Sequence, residues 1–114
     1  MPIVTTIEGR IAQVAIDRPE KRNTLSSELC KDLAREFLEL NDDTRVRSIV
    51  LCGHNNVFCA GLDIEEQLAE NTPIFNEFQK VIDALDALSK PVVAAVSGPA
   101  VSQGAAMLYH CDLV

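Results

Sequence analysis

Basic charge is scarce in this chain. Ten Lys and Arg stand against 17 Asp and Glu, a formal net charge of −7 over 114 residues. Nucleic acid is held by clustered cations, so this balance argues against it as a general partner. Long apolar runs are also missing. The longest, such as Val92–Val96, fall far short of the ~20 residues that cross a bilayer, and no membrane partner is expected. The start, Met1-Pro2-Ile3-Val4-Thr5-Thr6, has no basic segment and no long apolar stretch, so no secretory signal is read there. Cys30, Cys52, Cys59 and Cys111 form no C-x-x-C pair. With His54 and His110 they lack zinc-ligand spacing, so no metal site is expected. Free buried thiols in a reducing, intracellular compartment fit them better. No low-complexity segment or linker interrupts the chain, and the length allows a single domain.

What is present is ordinary for a packed domain: 47% hydrophobic and 24% charged residues. The charge is uneven. Eight of the 10 cations lie in residues 1–50, and most gather at Arg18–Arg22 and Arg45–Arg47. That is enough for one phosphorylated small molecule, although a solvated surface has the same composition.

Local pattern places the elements. Ile3–Ile7 and Ile11–Ile16 are β-rich runs around Glu8-Gly9-Arg10, a hairpin signal. Ser26 and Glu28 suit a first helical turn, and Leu29, Leu33, Phe37 and Leu40 recur at helical spacing toward Asn41-Asp42-Asp43. Ser48–Cys52 reads as a buried strand. A polar stretch follows Ile64, then Thr72-Pro73 opens a helix carrying Ile74, Phe78, Ile82 and Leu85, closed by Ser89-Lys90-Pro91. Val92–Val96 is a strand, and Gln103–Leu108 begins another helix. Strand and helix alternate, so the class is α/β.

Two loops run from a buried strand toward a helix. In Phe58–Asp63, Cys59-Ala60-Gly61 permits a tight turn and close ligand approach. The Leu62 N–H there has no obvious ladder partner. Gly98–Gly104 leads into a helix whose first N–H groups lack intrahelical acceptors, that of Gln103 among them. Two such N–H groups meeting at one point bind a thioester oxygen and the anion formed from it. Two surface loops with turn glycines are the plain alternative.

Three segments carry a resemblance: Arg18–Leu25 (Arg-Pro-Glu-Lys-Arg-Asn-Thr-Leu), Phe58–Ile64 (Phe-Cys-Ala-Gly-Leu-Asp-Ile) and Lys90–Ala100, continued by Gly104 and Cys111-Asp112-Leu113. In this order and spacing they resemble the crotonase (enoyl-CoA hydratase/isomerase) superfamily. The resemblance implies a spiral of ββα turns, of which residues 1–114 would be the N-terminal half. It implies an acyl-CoA thioester as substrate, no further cofactor, and a homotrimer or hexamer as the full-length protein. By match, the two oxyanion donors fall on the N–H groups of Leu62 and Gln103. Substrate binding falls on Lys21 and Arg22 for the CoA phosphates, on Ala60, Gly61, Leu62, Asp63 and Ile64, and on Gln103 and Gly104.

The departures narrow the chemistry. Hydratases of this superfamily carry a catalytic Glu two residues after the last Gly of the second loop, and here that residue is Ala106. Alanine moves no proton. Gly98-Pro99-Ala100 resembles the isomerase-like branch, whose single carboxylate lies further along the chain than Val114. The leading expectation is therefore an acyl-CoA enzyme of the isomerase/hydratase type. A catalytically inactive CoA-binding or protein-interaction domain is the second. A thioester or serine hydrolase using Ser102, in Ala100-Val101-Ser102-Gln103-Gly104, is the third. Asp63 is expected to orient ligand or to cap a helix; His110 and Tyr109 are expected to be packed or edge-exposed.

Overall fold

The computed structural model describes residues 2–70 and 74–114. β1 (Ile3–Glu8) and β2 (Ile11–Ile16) form the expected antiparallel hairpin, in register from Ile3 opposite Ile16 to Glu8 opposite Ile11. β3 (Ser48–Gly53) adds parallel to β2, and β4 (Val92–Ala95) parallel to β3, giving the order β1-β2-β3-β4.

Parallel neighbours need a crossover, and helices supply it. α1 (Ser27–Asp42) links β2 to β3. The Ser26 hydroxyl accepts the Leu29 N–H at 3.0 Å, which caps α1 as its sequence suggests. Between β3 and β4 lie α2 (Ile64–Glu70) and α3 (Ile74–Ala87). The Thr72-Pro73 helix start lies outside the described residues. After β4 comes α4, a single turn over Gln103–Ala106, followed by a 3-10 turn over Met107–His110. A second 3-10 turn, Pro19–Lys21, precedes α1.

The core lies between one face of the sheet and the pair α1/α3. Registered rows Ala12–Ile49–Val92 and Val14–Leu51–Ala94 are buried across three strands. Leu29, Leu33 and Phe37 of α1 and Phe78, Val81 and Leu85 of α3 pack in the same cluster. Burial of these stripes, at about 1.5–3 kcal/mol per large side chain, holds the helices on the sheet. The loops leaving the C-terminal ends of β3 and β4 are thereby brought side by side, as parallel strands require.

Candidate active site

The loop after β3 is clamped on two sides. Phe58 and Cys59 donate their N–H groups to Pro99 O at 3.0 and 3.3 Å, and Val101 N–H donates to Cys59 O at 3.0 Å. Cys59 and Ala100 thus form a parallel bridge. Further along, Leu25 N–H donates to Gly61 O and Asp63 N–H to Leu25 O, both at 2.8 Å, a second parallel bridge centred on Leu62. In such a bridge the groups flanking Leu62 carry the bonds, so its own N–H faces away from Leu25. Among the described residues that N–H has no acceptor.

The loop after β4 supplies the counterpart. Gly104 N–H donates to Val101 O and Ala106 N–H to Ser102 O, each at 2.9 Å, while Gln103 N–H has no acceptor among the described residues. The turn that directs it passes through Ser102 at φ 54, ψ −119. A non-glycine residue there stores roughly 1–3 kcal/mol of strain. α4 has only one turn, so it carries no large helix dipole. Gly104 makes the approach possible. A Cβ there would sit 2.8 Å from the Cys59 carbonyl carbon and 2.9 Å from Cys59 Cβ, and closer still to the carbonyl oxygen.

Leu62 and Gln103 line one cleft of about 270 Å³, with Ala60, Ile64 and Phe75 as its apolar wall. A second cleft, about 370 Å³, shares Ala60, Leu62 and Ile64 with it. Lys21, Arg22, Asp63 and Glu65 line this one. The structure therefore brings the basic cluster to the same loop as the unpaired Leu62 N–H. Arg22, at φ 54, presents its carbonyl to Ala60 N–H at 3.3 Å. Lys21 Nζ lies 3.6 Å from the exposed Glu65 carboxylate, a weak pair that an anionic ligand can displace. A depression of about 650 Å³ borders α1; three cations there, Arg18, Lys31 and Arg35, face three carboxylates, and it contains neither unpaired N–H.

The remaining candidates are engaged elsewhere. The Asp63 carboxylate pairs with Arg18 at 3.1 Å and accepts Glu66 N–H at 3.1 Å, so it caps α2 and braces the loop. His54 lies 3.7 Å from Asp17, and His110 is hydrogen-bonded to Asp86 at 2.7 Å; neither histidine lines the Ser102 cleft. Ser102 Oγ donates to Gln103 Oε1 at 2.6 Å. Burial pushes the Cys59 thiol up to about 11, so it stays a neutral packing residue. Among the described residues no group of three His, Cys, Asp or Glu side chains could hold a metal ion.

Two supporting residues escaped sequence reasoning. Asn23, only 1% exposed, donates its Nδ2 to His54 O at 3.0 Å and Val57 O at 2.8 Å and accepts Arg18 N–H at 2.7 Å. Arg18 also reaches Thr24 O at 3.1 Å. A buried polar residue beside a basic cluster was the available signal, but its partners lie 31 and 34 residues away.

Residues 6–114 match the family model described as enoyl-CoA hydratase/isomerase. Enoyl-CoA hydratase AKT6-1 of Alternaria alternata is 37% identical over 102 residues, covering 89% of this chain and 34% of that protein. Short-chain-enoyl-CoA hydratase of Clostridium acetobutylicum is 34% identical over 116 residues, covering 97% and 44%. Among solved structures, Pseudomonas aeruginosa OdaA superimposes with a TM-score of 0.91 at 34% identity, over 99% of this chain and 46% of that one. The chain spans less than half the length of these relatives. Two parallel crossovers, two clamped loops and a family match over nearly every residue agree: the chain belongs to the enoyl-CoA hydratase/isomerase family of the crotonase superfamily.

Proposed function

We propose that residues 1–114 form the N-terminal part of one crotonase-like domain and carry the thioester-binding face of an acyl-CoA enzyme of the isomerase/hydratase type. One observation carries this reading: two N–H groups without acceptors, on Leu62 and Gln103, line one small cleft. A thioester carbonyl seated between them gains two hydrogen bonds that strengthen as it becomes an enolate. Each such donor typically contributes about 2.7–4 kcal/mol to the transition state. Lys21 and Arg22, lining the adjoining cleft, meet the CoA phosphates. No carboxylate lines the inner cleft among the described residues, and Ala106 stands where hydratases carry Glu. The group that moves the proton between the α and γ carbons is therefore assigned outside these residues. The working assembly is a homotrimer or hexamer of the full-length protein.

The test is conversion of a 3-enoyl-CoA to its conjugated 2-enoyl isomer by the full-length protein, followed by ultraviolet absorbance. One residue inserted after Gly104 separates the donors and is expected to abolish turnover; retained activity would sink the mechanism. Ala106 favours a second reading, a domain that binds CoA without turnover. Calorimetric CoA binding with every acyl-CoA left unchanged is its signature. Absence of fluorophosphonate labelling removes a Ser102 hydrolase.

A further inference from the structure

Leu62 N–H is aimed by its own peptide unit. The carbonyl and N–H of one trans peptide point in opposite directions. Gly61 O accepts Leu25 N–H at 2.8 Å, so the N–H of that same unit, Leu62's, turns away from Leu25. Gly61 stands at φ 105, a region open to glycine, and does not fix the plane by itself. The plane is held instead from the segment Arg18–Leu25. That segment also places Lys21, Arg22 and Thr24 on the outer cleft.

A buried ion pair ties the segment to the loop. Arg18 Nη2 lies 3.1 Å from Asp63 Oδ2, with the two side chains only 17% and 9% exposed. Arg18 Nη1 donates to Thr24 O at 3.1 Å. The other Asp63 oxygen accepts Glu66 N–H at 3.1 Å, and Asp63 N–H donates to Leu25 O at 2.8 Å. Lys21 and Asn23 donate their N–H groups to Arg18 O at 3.1 and 2.9 Å, so the turn bearing Lys21 and Arg22 is pinned on Arg18. One continuous path of bonds therefore joins the cationic turn to Leu25 and Asp63, which hold the Leu62 donor between them.

We infer that Arg18 and Asp63 are a positioning pair that couples the outer cleft to the inner one: an anion seated on Lys21 and Arg22 sets the aim of the Leu62 N–H at the thioester oxygen. The inference rests on the acyl-thioester reading above. Binding of a remote, non-reacting part of the ligand then improves orientation at the reacting centre.

The experiment is infrared difference spectroscopy on the full-length protein, with crotonyl thioesters labelled with carbon-13 at the carbonyl. The carbonyl stretch falls in frequency as donors engage the oxygen. Bound crotonyl-CoA is expected to show a larger fall than bound crotonyl-pantetheine, which lacks the phosphates. Saturating adenosine 3′,5′-bisphosphate is expected to enlarge the fall for the pantetheine thioester. Arg18→Lys keeps the charge but loses the planar fork that reaches both Thr24 O and Asp63. It is expected to bring the two thioesters to equal shifts. It should also lower kcat for 3-enoyl-CoA isomerisation about tenfold while changing the CoA Kd less than about threefold. Asp63→Asn is expected to act in the same direction and serves if Arg18→Lys does not fold. Equal shifts for the two thioesters in the unaltered protein overturn the coupling and leave the acyl-thioester reading standing. A variant that melts at a lower temperature yet keeps the difference in shift also overturns it, because the pair then only braces the fold. No binding, or a stretch unchanged from solution for both thioesters, overturns both.

Discussion

Gly104→Ala tests the packing behind the two donors. An added Cβ would lie 2.8 Å from the Cys59 carbonyl carbon and 2.9 Å from Cys59 Cβ, with the carbonyl oxygen nearer. The obstruction is backbone, so no side chain can swing aside. Restoring ordinary contact requires α4 and the Phe58–Leu62 loop to part by roughly 1 Å, and overpacking of this kind costs about 1–3 kcal/mol of stability. The same movement lengthens the 3.0 Å bond from Val101 N–H to Cys59 O and separates Gln103 N–H from Leu62 N–H. A 1 Å misplacement at a reacting centre costs about 10²-fold in rate. The expectation is a kcat lower by about 10²-fold, or ~2.7 kcal/mol of transition-state stabilisation. CoA affinity should change less than about threefold, because Lys21 and Arg22 lie on the adjoining cleft. The assay pairs steady-state kinetics with a calorimetric Kd and a melting curve on the full-length protein. A kcat within threefold of the original, in a protein that melts at the same temperature, refutes the clamp.

Two further outcomes follow from buried groups. Asn23→Ala removes three hydrogen bonds to backbone and places alanine at φ 58, so a loss of about 2–4 kcal/mol is expected in urea unfolding; an unchanged midpoint would show that these bonds do not hold the loop. Burial raises the thiols of Cys30 to about 12 and of Cys59 to about 11 from 9.0. The folded chain then keeps protons that the unfolded chain releases. Their contribution is full below pH 9 and is lost as pH rises toward 11–12, so the urea midpoint should fall across that window. The Cys30→Ala, Cys59→Ala double variant should flatten the decline, and an equal slope in both proteins would refute the linkage.

Much of the fold was readable because its signals are local. Gly9 marked the hairpin, the Leu29/Leu33/Phe37/Leu40 stripe marked α1, and the apolar runs marked β3 and β4. α2 was missed because its large apolar residues lie in the open: Ile64 is 64% and Leu68 79% exposed. A helix without a buried stripe leaves no periodic trace. Its one local signal is Asp63, a cap candidate in the sequence, whose carboxylate accepts Glu66 N–H. The apolar residues through Leu108 read as a helix; α-helical geometry ends at Ala106 and a tighter turn continues to His110. Arg18 to Asp63 and Asn23 to Val57 were unreadable for another reason: each joins segments more than 30 residues apart, and no spacing rule connects them.

In the proposed oxyanion hole the donors are main-chain atoms, so the side chains at 62 and 103 do not make it. What makes it is close packing of the segments 56–61 and 98–104. Gly98 shows the same requirement as Gly104: a Cβ there would press on the Asn56 carbonyl, with Val57 N at 3.0 Å. Between these contacts run the bonds from Phe58 and Cys59 to Pro99. Geometry is thus fixed by small residues and backbone bonds. This separates the two halves of the chemistry. On the proposed reading, oxygen binding depends on glycines that cannot be enlarged, and the fate of the enolate depends on side chains. On that reading, Ala106 in place of a proton-moving Glu is a change of the second kind.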